Sequence, residues 1–442
     1  MNTINLLKVR RFLPLFLTQF LGAFNDNIYK NALLILIMYQ NAQAYGIETN
    51  QLVTLCAGLF ILPFFLFSAL AGQLADKYEK SFLIQRIKLL EIIIMSLAVV
   101  AFYFQHIMAL IILLFFMGAQ SALFGPIKYG ILPQHLHKNE LVSGNGLIEM
   151  GTFLAILLGT ILGGVIIAIK PHGTLIISIL VVIFALLGWL TSRAIPTAPA
   201  PAPQLSFNWN FISETWHMMS YIRENRSILI ATLGNAWFWF VGITFLSQFP
   251  AYSKTILMGD EHLVTLLLFM FSIGIGIGST SCDMLSRRTS SLGLVPLGAI
   301  GMSLFSIDIY FTSQSYLAMT TTEQLIDLSQ FFAYGFVSWR LLIDLILIGV
   351  FGGFYIVPLY VILQERSNPA HRSRLIAANN VVSALFMVIS SLSTVILINF
   401  AMTIPQIFLL VGIVSAMVTT LLFILMPEFI KQFIRWLKSM RN

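Results

Sequence analysis

The sequence has few charged side chains and almost no cysteine. Only 10% of its 442 residues are Asp, Glu, Lys or Arg, whereas soluble globular domains carry about 25%. This scarcity, together with a hydrophobic fraction of 58%, excludes an ordinary water-soluble fold. The two cysteines, Cys56 and Cys282, lie in separate apolar runs, so neither a disulfide framework nor a zinc site is predicted. No metal or cofactor is expected.

The apolar residues form twelve windows, each long enough to cross a bilayer core, which takes about 20 residues of helix. The windows are 12–40, 51–75, 81–104, 107–125, 141–168 and 173–193, then 227–252, 262–282, 291–312, 341–364, 375–399 and 404–426. We predict an all-α membrane protein with a six-helix bundle at 1–193, a cytoplasmic linker at 194–226, a second bundle at 227–426 and a basic amphipathic tail at 427–442 that lies on the inner leaflet.

The basic residues predict the orientation of the chain, because Lys and Arg accumulate on the cytoplasmic side. If successive loops alternate between the two sides, 21 of the 25 bases fall on one side, three fall on the other, and Lys30 lies within a span. The 21 are Lys8, Arg10, Arg11, Lys77, Lys80, Arg86, Lys88, Lys128, Lys138, Arg193, Arg223, Arg226, Arg287, Arg288, Arg366, Arg372, Arg374, Lys431, Arg435, Lys438 and Arg441. Both termini are therefore predicted to be cytoplasmic, and the net charge of +7 indicates topology rather than nucleic-acid binding.

The two halves contain weak internal matches. LGAFN at 21–25 resembles LGNA at 233–236, and Asp76 corresponds to Asp283, with offsets near 210 residues. Later pairs, such as Asn145 with Asn380, are about 235 residues apart, and a long loop near 313–338 accounts for the increase. These shared offsets indicate an internal repeat, as transporter folds often have.

A short motif between the second and third spans suggests a superfamily. Gly72, Asp76 and Lys77 form a G-x-x-x-D-K pattern that resembles the loop signature of the major facilitator superfamily. The resemblance implies that Gly72 permits close helix packing and that Asp76 caps and pairs across cytoplasmic helix ends as a gate latch. Asp283 is the second-half counterpart, in a segment one residue longer. The alternative is that these are ordinary polar residues of a short loop.

Longer strings resemble a particular family within it. QFLGAFNDN at 19–27, FGPIKYGILP at 124–133, NGLIEMGTF at 145–153 and GGFYIVPL with LQER at 352–366 are similar to the bacterial lysophospholipid transporters. GNAWFWF at 234–240 also resembles the transporter module that some bacteria fuse to an acyltransferase and an acyl-carrier-protein synthetase. No histidine has an aspartate five residues later, so the acyltransferase signature is missing and we predict that the chain is not an enzyme.

Charges at membrane depth cost about 2.5–3.5 kcal/mol each on insertion scales, which draws attention to the first span. Asp26 and Lys30 are spaced i, i+4 there. One interpretation is a self-satisfied ion pair in helix packing. The other is a headgroup site, in which Asp26 binds the ammonium of a zwitterionic lysophospholipid and a basic residue binds its phosphate. The family resemblance favours Asp26 and Asn27 over Lys30.

Lys128 lies in GPIKYG, where we expect proline and glycine to break the fourth span and direct the ammonium toward a central path. It matches a lysine of the family, although it would otherwise be one more cytoplasmic charge. Glu149 is a further candidate for substrate binding. Glu365 and Arg366 follow the tenth span, where a structural salt bridge and a gating role are both open.

Asn235 and Trp237 are the candidates in the second half. They are placed near the start of the seventh span, so Trp237 and Trp239 either cover the substrate or anchor the span at the membrane interface. The family resemblance implies an arginine in this span for the phosphate, but 242–250 contains no base. Phosphate binding is therefore assigned to Lys128 or Lys30.

These features predict a monomeric lysophospholipid transporter of the bacterial inner membrane. It would move a lysophosphatidylethanolamine-like lipid from the outer to the inner leaflet by alternating access, and a separate acyltransferase would then re-acylate the lipid. The alternative is a proton-coupled exporter of drugs or a siderophore, for which Glu91, Asp308 and Asp344 are acids within spans. A non-transporting scaffold for a lipid-acylating enzyme is a third possibility.

Overall fold

The computed structural model describes residues 3–39, 49–286, 290–320 and 324–440, and these residues are mostly helical. Arg287, Arg288 and Arg441, three of the bases used to predict orientation, lie outside them. The helices are α1 (Leu13–Tyr39), α2 (Thr49–Lys77), α3 (Lys80–Tyr103), α4 (Ile107–His135), α5 (Leu141–Ile167), α6 (Gly173–Ser192), α7 (Phe211–Glu224), α8 (Arg226–Thr255), α9 (Glu261–Ser286), α10 (Leu294–Met319), α11 (Leu328–Ala333), α12 (Phe336–Arg366), α13 (Arg372–Asn399), α14 (Ile404–Leu425) and α15 (Glu428–Met440).

Twelve of these helices have 20 residues or more, which confirms the predicted all-α architecture. Ten of the twelve are apolar enough to be recognised as membrane spans from hydropathy alone. The other two are α1 and α3. They fall short because α1 contains three asparagines, one aspartate and one lysine between 25 and 31, and α3 contains Lys80, Arg86, Lys88 and Glu91.

The helices group into two compact units. The first contains 1–144, 154–228 and 363–384, and the second contains 145–153, 229–362 and 385–442. Each unit therefore includes a segment from the other half of the chain. The first takes the junction of α12 and α13, and the second takes part of α5. The predicted boundaries at 193 and 226 stay a prediction.

Glycines bring α5 close to α1 within the first unit. A side chain at Gly159 would lie 2.5 Å from the Phe24 carbonyl oxygen, and one at Gly163 would lie 2.5 Å from that of Ile28. Larger residues would force the two backbones apart. This contact fixes the polar segment of α1 against the bundle. Farther along α1, Ile28 and Leu33 enter an apolar core with Met95 and Leu114.

A matching arrangement lies in the second unit, between α9 and α12. A side chain at Gly274 would lie 2.2 Å from the Ile346 carbonyl oxygen, and one at Gly278 would lie 2.0 Å from that of Val350. Gly349 and Gly353 make the reciprocal contacts with α9. The glycine run at 274–278 therefore serves close helix packing.

The predicted linker contains an unexpected helix, α7. The linker is attached to the ends of α2 and α3 by side-chain hydrogen bonds. The Gln73 amide exchanges two bonds of 2.9 and 2.7 Å with the Asn208 backbone, and the Glu79 carboxylate accepts from Ala198 N at 2.7 Å. Burial opposes ionisation of Glu79, but hydrogen bonds from Ser81, Ala198 and Phe82 outweigh it and lower its pKa. The linker is therefore a fixed part of the first unit.

The predicted amphipathic tail forms helix α15, and only part of its apolar surface is exposed. Phe429 and Trp436 are buried, and the Trp436 indole Nε1 donates to the Leu285 carbonyl at 2.8 Å. Ile430 and Ile434 remain exposed. One stripe of α15 thus packs on other helices of the second unit, so only the remaining part of its apolar face is available to contact lipid.

Candidate functional site

The polar segment of α1 is buried inside the first unit. Asn25, Asp26 and Asn27 are all less than a tenth exposed. The Ser121 hydroxyl on α4 donates to Asp26 Oδ2, and Asn27 Nδ2 donates to the Ala23 carbonyl at 2.7 Å. Among the described residues, neither Asp26 Oδ1 nor Asn27 Oδ1 receives a hydrogen bond. Two buried acceptors are therefore left for an added donor.

A buried ion pair lies beside this segment. The Lys88 ammonium on α3 is 2.7 Å from Glu91 Oε2, and both side chains are 1% exposed. Asn25 Nδ2 donates to Glu91 Oε1 at 2.9 Å, and a side chain at Gly22 would lie 2.2 Å from the Lys88 ammonium nitrogen. Lys88 was counted among the bases of the cytoplasmic side; the structure places it within α3 in the interior of the first unit, and the side of the membrane stays a prediction. The i, i+3 spacing of Lys88 and Glu91 in an apolar helix was the available signal.

Lys30 and Lys128 each lie near an aromatic ring. The Lys30 ammonium is 5.5 Å from the centroid of Phe60, and that of Lys128 is 4.8 Å from Tyr129. Of the two interpretations of Asp26 and Lys30, the self-satisfied ion pair is not supported, because no salt bridge within 4 Å joins these two described residues. The expected break in the fourth span is also wrong, because α4 continues through Pro126 and Pro133 to His135.

The second unit contains the other predicted binding residues. Glu149 is buried in the part of α5 that belongs to this unit, and Asn235 is buried on α8. Trp237 is also buried, and its Nε1 donates to Ser415 Oγ on α14 at 3.1 Å. Because α8 begins at Arg226, Trp237 lies about three turns inside the helix and not at its start. This position argues against the interface-anchor interpretation.

Aromatic rings surround this part of α8. Phe153 stacks on Trp239 with centroids 6.1 Å apart and meets Phe238 edge-on at 6.2 Å. Trp237 stacks on Phe240 at 4.8 Å. Offset and edge-to-face pairs of this kind stabilise by about 0.5–1.5 kcal/mol each beyond area burial. This part of the second unit is thus lined with rings where α1 has amides and a carboxylate.

The predicted latch residues meet the start of α13 within the first unit. Asp76 is fully buried and accepts hydrogen bonds from the backbone of Ser373 (3.0 Å) and Arg374 (3.2 Å) and from Arg374 Nε (3.2 Å). A side chain at Gly72 would lie 2.7 Å from Arg374 Cα. Asp76 therefore caps a helix N-terminus and pairs with a guanidinium at the same point. Its gating role stays a prediction.

The remaining gating candidates are placed less distinctively. Lys77 lies 5.8 Å from the Tyr78 ring, and Asp283 is half-buried in the last turn of α9. Glu365 is exposed, whereas Arg366 Nη1 donates to Ser227 Oγ at 2.7 Å and links α12 to the start of α8. The structure thus brings Gly72 and Asp76 to one contact with the start of α13.

A further charged cluster lies within the second unit, between α10 and α12. Arg340 on α12 makes two hydrogen bonds to Asp308 on α10, and Thr312 donates to Asp344 Oδ2 at 2.8 Å. Asp344 is 2% exposed. Within the described ranges, no three His, Cys, Asp or Glu side chains are grouped to hold a metal.

Comparison with known proteins identifies the family. A family model described as a transmembrane secretion effector matches residues 42–323. The lysophospholipid transporter of Klebsiella pneumoniae strain 342 is 30% identical over 353 residues, which is 79% of this chain and 78% of the relative. The chain belongs to the lysophospholipid transporter family of the major facilitator superfamily. A second relative, the lysophospholipid transporter of Serratia proteamaculans, is 26% identical over 84% of each chain.

Solved structures show the same fold at lower identity. The human organic anion transporter MFSD10 superposes with a TM-score of 0.71 at 13% identity, covering 94% of this chain and 98% of its own. FucP in its outward conformation gives a TM-score of 0.66 at 16% identity, with coverage of 94% and 98%. The architecture is that of a major facilitator transporter, and the chain is a multi-pass membrane protein.

Proposed function

We propose that the protein carries a lysophosphatidylethanolamine-like lipid from the outer to the inner leaflet of the bacterial inner membrane by alternating access. A separate cytoplasmic-face acyltransferase would re-acylate the lipid and so draw transport forward. Both termini and the linker would lie in the cytoplasm, as the distribution of basic residues predicts.

The observation that carries this proposal is the burial of the Asp26 carboxylate and its incomplete hydrogen bonding. Its carboxylate is buried at membrane depth with one hydroxyl donor, from Ser121, and its Oδ1 receives no hydrogen bond from the described residues. A buried charge with an open acceptor is costly unless a partner supplies charge and donors. The ammonium of an ethanolamine headgroup supplies a positive charge and three N–H donors.

Of the two candidates, Lys30 and Lys128, we assign the phosphate to Lys30, because Lys128 lies on α4 and not on the helix of Asp26. The nearby Lys88 is not available either, because Glu91 already neutralises it at 2.7 Å. Lys30 lies one turn from Asp26 on the same helix, and no described carboxylate is within 4 Å of its ammonium, which faces Phe60. A zwitterionic headgroup would place its ammonium and phosphate on Asp26 and Lys30 respectively. The single acyl chain would stay in the lipid.

The latch supports the alternating-access part of the proposal. Asp76 holds the α13 N-terminus by three hydrogen bonds in a buried position, so separating α2 from α13 requires all three to break together. In the proposed cycle this contact closes the cytoplasmic side and releases when that side opens.

Flip of labelled lysophosphatidylethanolamine by purified protein in vesicles tests the function. We expect Asp26→Ala to reduce the initial rate by at least about tenfold, which corresponds to loss of one charge-assisted bond of about 1.4 kcal/mol or more. Glu261→Gln, at the exposed start of α9, is the matched control and should keep the parental rate. Unchanged flip in Asp26→Ala would refute the site.

The same assay separates the transporter from the proton-coupled exporter. Asp344 is the buried acid that the exporter interpretation would use, with Thr312 as its partner. We expect lysolipid flip to persist when the proton gradient is collapsed and in Asp344→Asn. Loss of flip under both conditions would favour proton coupling.

A further inference from the structure

Helix α7 presents a stripe of large apolar side chains to its surroundings. Trp209, just before the helix, and Ile212 and Trp216 within it are 80%, 68% and 69% exposed. Their spacing of three and four residues puts them on one face of the helix. Ser213 and Ser220 lie on the same exposed side. Such a patch is unusual on a surface that meets only water.

The opposite face of α7 packs on the first unit. Glu214, Met218 and Ile222 are buried there. Glu214 Oε1 is 3.6 Å from Arg374 Nη1, on the same guanidinium that binds Asp76. The buried face thus fixes the rotation of α7, and the exposed stripe must point away from the protein core.

The chain connections place α7 at the membrane surface. Helix α6 ends at Ser192 and α8 begins at Arg226, only two residues after α7 ends at Glu224. Because α8 crosses the membrane, the C-terminal end of α7 lies where α8 enters it. On the stripe side, the Arg223 guanidinium is 5.6 Å from the Trp216 ring. Indole rings flanked by arginines are typical of the headgroup region of a bilayer.

We propose that the exposed stripe of α7 docks on the anionic surface of the inner leaflet. Trp209, Ile212 and Trp216 would insert among the headgroups, and Arg223 and Arg226 would contact lipid phosphates. His217 and Glu224 are exposed beside the stripe and would remain in water. Since Glu214 on the buried face touches Arg374, membrane docking holds α7 against the residue that pairs with Asp76. This surface is distinct from the proposed lysolipid site on α1.

Spin labelling in nanodiscs tests the docking without any transport assay. Cys56 and Cys282 are buried, so a cysteine introduced at an exposed position is labelled selectively. Labels at Ser213→Cys and Ser220→Cys leave all three anchors intact, and Gln204→Cys in the exposed part of the linker is the aqueous reference. The measurement compares collisions with oxygen, which partitions into lipid, and with a water-soluble nickel chelate.

In nanodiscs containing phosphatidylglycerol, we expect labels at 213 and 220 to favour oxygen over nickel and the label at 204 to favour nickel. Adding Trp209→Ser and Trp216→Ser to the Ser213→Cys protein should convert its label to the aqueous pattern. Glu214→Gln, on the other face, should leave it in lipid. If positions 213 and 220 match position 204 in the intact protein, the proposal is wrong and a soluble partner is the better occupant of the stripe.

Discussion

The predicted repeat partners α1 and α8 differ sharply in the chemistry of their middle turns. In α1, two amides and a carboxylate occupy three consecutive positions, and a buried Lys88–Glu91 pair lies beside them. In α8, Asn235 is followed by four aromatic residues at 237–240, which stack among themselves and on Phe153. The same fold element thus carries polar groups in one unit and rings in the other. The headgroup site proposed above uses residues of the polar first unit alone.

The largest effect on stability is expected from breaking the ion pair of the first unit. Glu91→Ala leaves the Lys88 charge buried without its carboxylate, which costs about 3–5 kcal/mol. The midpoint of thermal unfolding of the purified protein should fall strongly. The double variant Lys88→Met, Glu91→Leu removes both charges and should recover most of the loss. Equal destabilisation of the single and double variants would show that packing, not charge, is responsible.

A smaller loss of stability is expected when one hydrogen bond of the aromatic segment of α8 is removed. Trp237→Phe keeps a ring against Phe240 but removes the indole hydrogen bond to Ser415. Loss of one neutral hydrogen bond costs about 1 kcal/mol. Thermal unfolding measured beside Glu91→Ala gives the comparison directly. If the two variants were equally destabilised, the contrast between a charged first unit and an aromatic second unit would fail.

The smallest effect concerns charge at the edge of the first unit. Glu79 is half-exposed and has a lowered pKa, so it stabilises the fold above about pH 4.5, its ordinary value, and this contribution is lost as the pH falls through the lowered pKa. Solvent screening keeps it below about 1 kcal/mol. Glu79→Gln should lower the thermal midpoint slightly at pH 7 and match the parent near pH 3. A difference that persists at pH 3 would contradict the electrostatic explanation.

Span count and family could be predicted from the sequence, because apolar runs and contiguous motifs are local signals. Burial could not. The i, i+3 spacing of Lys88 and Glu91 suits a solvated pair as well as a buried one, and the packing of α3 against Gly22 shows that Lys88 is internal. Trp237 was placed near the start of the seventh span although the predicted window already begins at 227, and α8, which begins at Arg226, puts Trp237 about three turns inside the helix. Helix α7 was hidden in a linker identified by its Pro- and Ala-rich opening, although Asn210 caps it with a bond to Ser213 N.

Helices α1 and α3 are the two spans least suited to entering a bilayer alone. Each charged residue at a helix centre costs about 2.5–3.5 kcal/mol on insertion scales, and α3 carries two such residues, Lys88 and Glu91. Lys88 and Glu91 neutralise each other, but Glu91 Oε1 takes its hydrogen bond from Asn25 on α1. Insertion of α3 is therefore most favourable when α1 is already beside it. The contact that shapes the candidate binding site thus also sets an order of assembly during biogenesis.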